Sequence, residues 1–226
     1  MTTVDSARAE NLNRPLLFGV GALLLLAAAG LGTLIYFRTE TFDVDVWWNG
    51  ILAANDVPFL DTFSYVMNFI GAGWFGVFAI PIVATVALLL LKRPWSAVFF
   101  IVAEVAAAGV VQVLKHVFGR ARPEEIIVIS DFGSFPSGHV ANAATLATAA
   151  FILFPRLVIA LVGVAYILLM ALSRTVLHAH WLTDTIGGAL IGIGVVLIVA
   201  GIFAPKLIQE RPSRQKTVES APAPPQ

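Results

Sequence analysis

Long apolar runs at roughly 16–37, 64–91, 95–117, 139–154, 157–173 and 183–204 dominate this chain and fix what it can become. A bilayer's hydrocarbon core takes about 20 residues of helix to cross, and the runs cluster around that length. Backbone N–H and C=O groups inside lipid must be satisfied within the segment, so each run is read as a helix. Of the 226 residues, 58% are hydrophobic and only 12% are charged, where a soluble domain carries about a quarter. The chain is therefore expected to be all-α, a polytopic membrane bundle of about six transmembrane helices. Its length suits one bundle rather than two domains. The first run follows Arg8 and Arg14 and contains small residues near Ala29, as a signal peptide would. It is too long for a typical signal core and is read as a retained helix.

The expected organisation is a cytoplasmic segment over 1–15, a membrane-embedded domain over 16–208 and a polar, disordered cytoplasmic tail over 209–226. Pro155 and Arg156 separate two short runs and imply a helical hairpin. Pro81 lies inside the second run and should kink it. The loop 38–62 holds Asp43, Asp45, Trp47 and Trp48, and predicts a short interfacial helix with its tryptophans at headgroup level. Gly187, Gly188, Gly192 and Gly194 read as small-residue helix packing. With an even number of spans the termini share a side. Arg8, Arg14, Lys92, Arg93, Arg156, Lys206, Arg211, Arg214 and Lys216 fall there, so the positive-inside rule puts both termini in the cytoplasm of a cell-membrane protein.

Net charge is +0 and the basic residues form no patch interleaved with aromatics, which excludes a nucleic-acid partner. No cysteine is present, so disulfides, thiolate catalysis and Cys-based metal sites are excluded.

Polar groups are costly in such a chain, and they concentrate in three stretches of the second half. The first runs from Lys115 through Arg120 and Arg122 to Pro123. The second is Pro136-Ser137-Gly138-His139. The third holds Ser173, Arg174, His178, His180 and Asp184. All three fall at span ends on one face of the membrane, the outer one, which places them in one site. Lys115, Arg122 and Arg174 supply cations for a phosphoryl group, two as planar forks and one as a point charge. Ser137 and Gly138 open the fourth span, and a helix start with its free N–H groups is a natural phosphate seat. His180 and Asp184 stand four apart. On one helix face, Asp184 would accept from one ring nitrogen and leave the other free to attack. Arg38 and Arg120 are read as membrane-edge anchors. His116 and His178 are read as neighbours of the site. Three cations argue against a bound metal there, so no metal and no cofactor are expected.

The pattern K-x6-R-P, P-S-G-H, S-R-x5-H-x3-D over 115–184 resembles the type 2 phosphatidic acid phosphatase family, lipid phosphate phosphatases related to vanadium haloperoxidases. The resemblance implies a metal-independent hydrolase in which His180 is the nucleophile and forms a phosphohistidine, and His139 is the general acid. It implies a substrate lipid phosphate or diphosphate in the bilayer: undecaprenyl diphosphate, phosphatidic acid or phosphatidylglycerol phosphate. A compact chain leans to the isoprenyl diphosphate, but the motifs read phosphate and do not choose the tail. Two alternatives stay open: a lipid phosphotransferase using the same intermediate, and a non-catalytic binding or transport protein. The nearly all-membrane chain speaks against a haloperoxidase, whose representatives are soluble.

Overall fold

The structure, a computed structural model, describes residues 12–55, 57–71 and 73–210. The expectations for the N-terminal residues up to 11 and for the tail from 211 lie outside these. Eight α-helices occur among the described residues: α1 (Arg14–Phe37), α2 (Asp43–Ala54), α3 (Pro58–Gly71), α4 (Ile80–Leu90), α5 (Pro94–Phe118), α6 (Gly138–Leu153), α7 (Leu157–Val176) and α8 (Leu182–Gln209). A π-helical turn, Phe75–Ala79, leads into α4. The protein is an all-α membrane bundle.

The helix ends follow from local chemistry. The Asn13 side chain accepts from the Leu16 N–H at the start of α1, with a proline in its first turn. The start of α5 is capped from the other end of the chain: Glu210 accepts from the Trp95 N–H at 2.6 Å and the Ser96 N–H at 2.8 Å. A carboxylate at a helix N-terminus satisfies orphan donors and complements the dipole. Gly119, at φ 54°, ends α5 in the left-handed region that glycine tolerates.

Helices α1, α5, α7 and α8 are each long and apolar enough to cross a bilayer. The second expected span is two pieces rather than one: α3 and the segment from Phe75 through α4 meet at 45°. The bend lies upstream of Pro81. At the proline itself the effect is the π turn just before it, because Pro81 offers no N–H to the preceding turn. The segment 38–62 carries the expected short helix as α2, and it ends earlier than expected because α3 already starts at Pro58. Helix α6 has 16 residues, about 24 Å, short of the ~30 Å hydrocarbon core. It is an inner helix, joined to α7 through residues 154–156 as the expected hairpin.

Helix α8 is the axis of the bundle. Over half of its most apolar stretch (56%) is buried, against 22% for α1 and 17% for α7, whose leucines face outward. Outward apolar faces are what a lipid solvent requires. The main core joins α1, α5, α6 and α8 around Phe99, Phe100, Val111, Ile191 and Val196. A smaller one, Met67, Val140, Ala143 and Met170, ties α3 to α6 and α7. Gly188 and Gly192 let α8 lie directly on α6: a Cβ at either position would run into the Ser137 or Ala141 carbonyl. That close approach sets the start of α6 beside the start of α8, which is where the histidines are.

Candidate active site

The C-terminal ends of α5 and α7 and the N-terminal ends of α6 and α8 meet at one end of the bundle. Lys115 and Arg174 sit in the last turns of α5 and α7. Helix α6 begins at Gly138, with His139 one residue in. His180 lies two residues before α8 and Asp184 in its first turn. One cavity of about 580 Å³ is lined by Lys115, Arg122, Gly138, His139, Arg174 and His180. Ser137 and Asp184 stand behind its wall: the Ser137 N–H donates to the Asp184 carbonyl at 3.0 Å, and the Ser137 hydroxyl is buried with no partner.

His180 precedes the helix, so it and Asp184 do not share a helical face as the spacing suggested. Asp184 instead caps its own helix, accepting from the Trp181 N–H at 2.9 Å. The His180 Nδ1 lies 2.8 Å from the Ser134 carbonyl and 3.7 Å from the Asp184 carboxylate. A carbonyl only accepts, so Nδ1 carries the proton and Nε2 holds the lone pair. The Nε2 faces the Arg122 guanidinium at 3.2 Å. Burial pushes the His180 imidazole down to about 4, against the pull of Asp184 and with the help of Arg122 and Lys115. Burial thus favours a neutral ring, with its unprotonated nitrogen turned to the Arg122 guanidinium.

The cations are held by named acceptors. Lys115 Nζ donates to the Gly133 carbonyl at 2.8 Å and to Asp131 at 3.1 Å. Arg122 donates to the same two residues, each at 2.8 Å, and to the Ala179 carbonyl. Asp131 thus bridges Lys115 and Arg122 with one oxygen. Partial burial pushes its carboxyl up, but the two cations outweigh that and hold it below the usual carboxylate range. Arg174 donates to the Asn68 side chain at 2.6 Å, and the Asn68 carbonyl lies 3.3 Å from His139 Nε2. Helix α3 therefore orients both Arg174 and His139.

Arg120 is not a membrane-edge anchor. Its side chain is 8% exposed and bridges two fully buried carboxylates, Asp184 at 2.5 Å and Asp45 at 2.7 Å. Asp45, from α2, also accepts from the Thr183 N–H at 2.9 Å and its hydroxyl at 2.6 Å. Ser134 donates to the second Asp184 oxygen. Arg38, by contrast, is exposed and lies over the Phe42 ring, as an anchor would. His178 pairs with Asn49 at 2.7 Å, and His116 with the Gln112 carbonyl in its own helix at 2.8 Å.

Residues 96–207, which build this site, match the PAP2 superfamily. The chain belongs to that superfamily. It is 29% identical over 121 residues to a lipid A 1-phosphatase of Rhizobium johnstonii, covering 49% of each. It is 27% identical over 124 residues to a lipid A 1-phosphatase of Rhizobium etli, covering 49% of this chain and 51% of that one. The chain spans about half the length of these curated relatives. The fold matches the crystal structure of a transmembrane PAP2-type phosphatidylglycerolphosphate phosphatase from Bacillus subtilis, at a TM-score of 0.72 and 22% identity, covering 80% of this chain and 94% of that one. It also matches LpxE of Aquifex aeolicus, at 0.61 and 25% identity, covering 75% and 99%.

Proposed function

We propose that this protein is a membrane phosphatase that removes phosphate from a lipid phosphomonoester through a phosphohistidine on His180. The observation that carries the reading is one cavity in which the unprotonated Nε2 of a fixed imidazole faces a cluster of three cations. Phosphoryl transfer needs little beyond positioning and charge stabilisation, and both are present.

In this reading Lys115, Arg122, Arg174 and the free N–H groups at Gly138 hold the phosphoryl oxygens. His180 Nε2 attacks phosphorus and forms the N–P bond as the P–O bond to the lipid breaks. His139 gives its proton to the leaving oxygen and then takes one from the water that cleaves the N–P bond, releasing inorganic phosphate. Asp184 stabilises the ring cation that develops, and Arg120 with Asp45 hold Asp184 in place. The Arg120–Asp45 bridge is a positioning device and touches no substrate.

The two kinds of relative named above act on lipid A and on phosphatidylglycerol phosphate, both phosphomonoesters of lipids, and this favours a monoester over a diphosphate. The distribution of Lys and Arg supports a site on the outer face with both termini in the cytoplasm. The test is inorganic phosphate release by the purified full chain in detergent with EDTA present. The panel holds lipid A 1-phosphate, phosphatidylglycerol phosphate, phosphatidic acid and undecaprenyl diphosphate. Release from a monoester, lost in His180→Ala, is expected. Folded protein that releases nothing from any of the four defeats the reading. Phosphate appearing on an added acceptor alcohol instead of in water shows a transferase.

A further inference from the structure

The cavity that starts at His180 does not stop at the phosphate end. It continues along one face of α5, with Glu104, Ala108, Val111 and Lys115 on its wall. Glu104 and Lys115 are separated by 115 − 104 = 11 residues. That is about three helical turns, or roughly 16 Å, and returns to within about 20° of the same direction. The opposite wall comes from the π turn and α4, through Phe78, Pro81 and Ile82. Phe78, Ile82 and Val105 are also exposed on the outside of the bundle, so the cleft is open sideways at membrane depth. A lipid held by its phosphate at His180 has its chain here.

Deep in this apolar cleft stands one carboxyl group. Glu104 Oε1 is buried with no hydrogen-bond partner, and no ion pair reaches Glu104 among the described residues. Two polar residues on the wall are already engaged: Thr145 donates to the Ala141 carbonyl at 2.8 Å, and the Asn142 amide to the Gly71 and Gly76 carbonyls at 3.1 and 3.3 Å. The Tyr166 hydroxyl, close enough to couple electrostatically to Glu104, is itself buried without a hydrogen-bond partner. A carboxyl with a buried, unpartnered oxygen costs stability, and a leucine at this position would cost less. Inside a membrane such a residue marks a functional surface.

We infer that the deep end of the cleft is a second substrate subsite, in which Glu104 accepts a hydrogen bond from a donor carried on the lipid chain, a hydroxyl or an amide N–H, about three helical turns from the phosphate. This rests on the reading of the His180 end as the phosphate site. It makes Glu104 a residue that selects among lipids sharing one headgroup. Sites built to hydrogen-bond a substrate group discriminate against analogues that lack it.

The experiment compares three phosphatidic acids in the same detergent: plain saturated chains, a mid-chain hydroxyl and a mid-chain amide. Each is assayed with wild type, Glu104→Gln and Glu104→Leu. Wild type is expected to turn over at least one donor-bearing lipid with kcat/KM about ten-fold or more above the plain lipid. Whichever lipid shows the preference identifies the donor. Glu104→Leu should bring that ratio to about one, whatever it does to the plain lipid, and Glu104→Gln, which keeps an acceptor oxygen, should retain part of it. A wild-type ratio near one overturns the subsite without touching the phosphatase reading, and needs no variant to fold. A ratio that survives Glu104→Leu also overturns it. A wild type that turns over none of the three but releases phosphate from another lipid of the four-member panel overturns this subsite alone, and one that releases phosphate from no lipid at all overturns the phosphate site with it.

Discussion

The two walls of the phosphate end are built on opposite principles. Behind His180, charge is matched by buried charge: Asp45 and Asp184 are fully buried and share Arg120, whose side chain is 8% exposed. Across the cavity, Lys115 is buried and Arg122 partly so, but the carboxylate that joins them, Asp131, is 54% exposed and sits on the loop between α5 and α6. The first wall has every partner locked inside the fold. The second holds two cations against an anion at the water's edge. In the proposed reading one is scaffold, and the other is a pair of phosphate ligands whose resident carboxylate a substrate phosphate can replace.

The largest expected effect tests the proposed nucleophile that stands between the walls. His180→Ala should lower kcat by at least about 10⁴-fold while the protein stays folded, because in the proposed reading the phosphoryl group passes through its Nε2. Activity within ten-fold of wild type would move the chemistry to another residue.

Next comes the locked wall. Arg120→Ala leaves two buried carboxylates unpaired, which costs about 3–5 kcal/mol, and the thermal midpoint in detergent should fall accordingly. Arg120→Lys keeps the charge but cannot bridge both carboxylates with one planar fork. It should fold, and lose kcat more than it raises KM. A variant that loses stability with kcat intact would make the bridge structural only.

The cation held by α3 gives a smaller effect. Arg174→Lys should cost on the order of ten-fold in kcat/KM, since a point charge cannot bond Asn68 and phosphate as a guanidinium does. Wild-type kinetics would remove Arg174 from the phosphate ligands. The open wall should respond least. Asp131→Asn removes the competing anion, so inorganic phosphate should inhibit roughly two- to five-fold more tightly. Unchanged or weaker inhibition would make Asp131 a fixed part of the wall.

A spectroscopic prediction separates the walls without mutation. The chain has four histidines, so their ring resonances can be followed individually. His180 should stay neutral until the pH nears 4, because burial opposes its charging. Its folded value lies below the unfolded one, so its contribution to stability is complete above about 6.5 and is lost as the pH falls toward 4. A His180 that titrates near 6.5 would mean the ring is solvated and the wall is not closed.

The bundle was legible in the sequence because hydropathy is a local property, and the expected span boundaries fall within a few residues of the helices α1, α5, α6 and α7. The motif residues were legible because charge is conspicuous in apolar sequence. Arg120 was not. It looks like an interfacial anchor until its partners appear, and they lie 64 and 75 residues away. Asp45, Asn68 and Ser134 were hidden for the same reason, since their roles exist only once α2, α3 and the 119–137 loop have closed on the motifs. Asp131 is an ordinary loop acid until the loop folds back over Lys115. Glu104 did leave a signal, a lone acid in the middle of an apolar run. Only the cavity gives that signal a direction.

The measurement that tests the central claim most directly is capture of the covalent intermediate. The purified full chain is mixed with phosphatidic acid labelled in its phosphate, quenched in alkali within milliseconds, and digested for mapping. The account predicts alkali-stable, acid-labile label on the peptide carrying His180, at Nε2, and none in His180→Ala. Steady turnover with no label on that peptide at any quench time, or label that persists in His180→Ala, would contradict it.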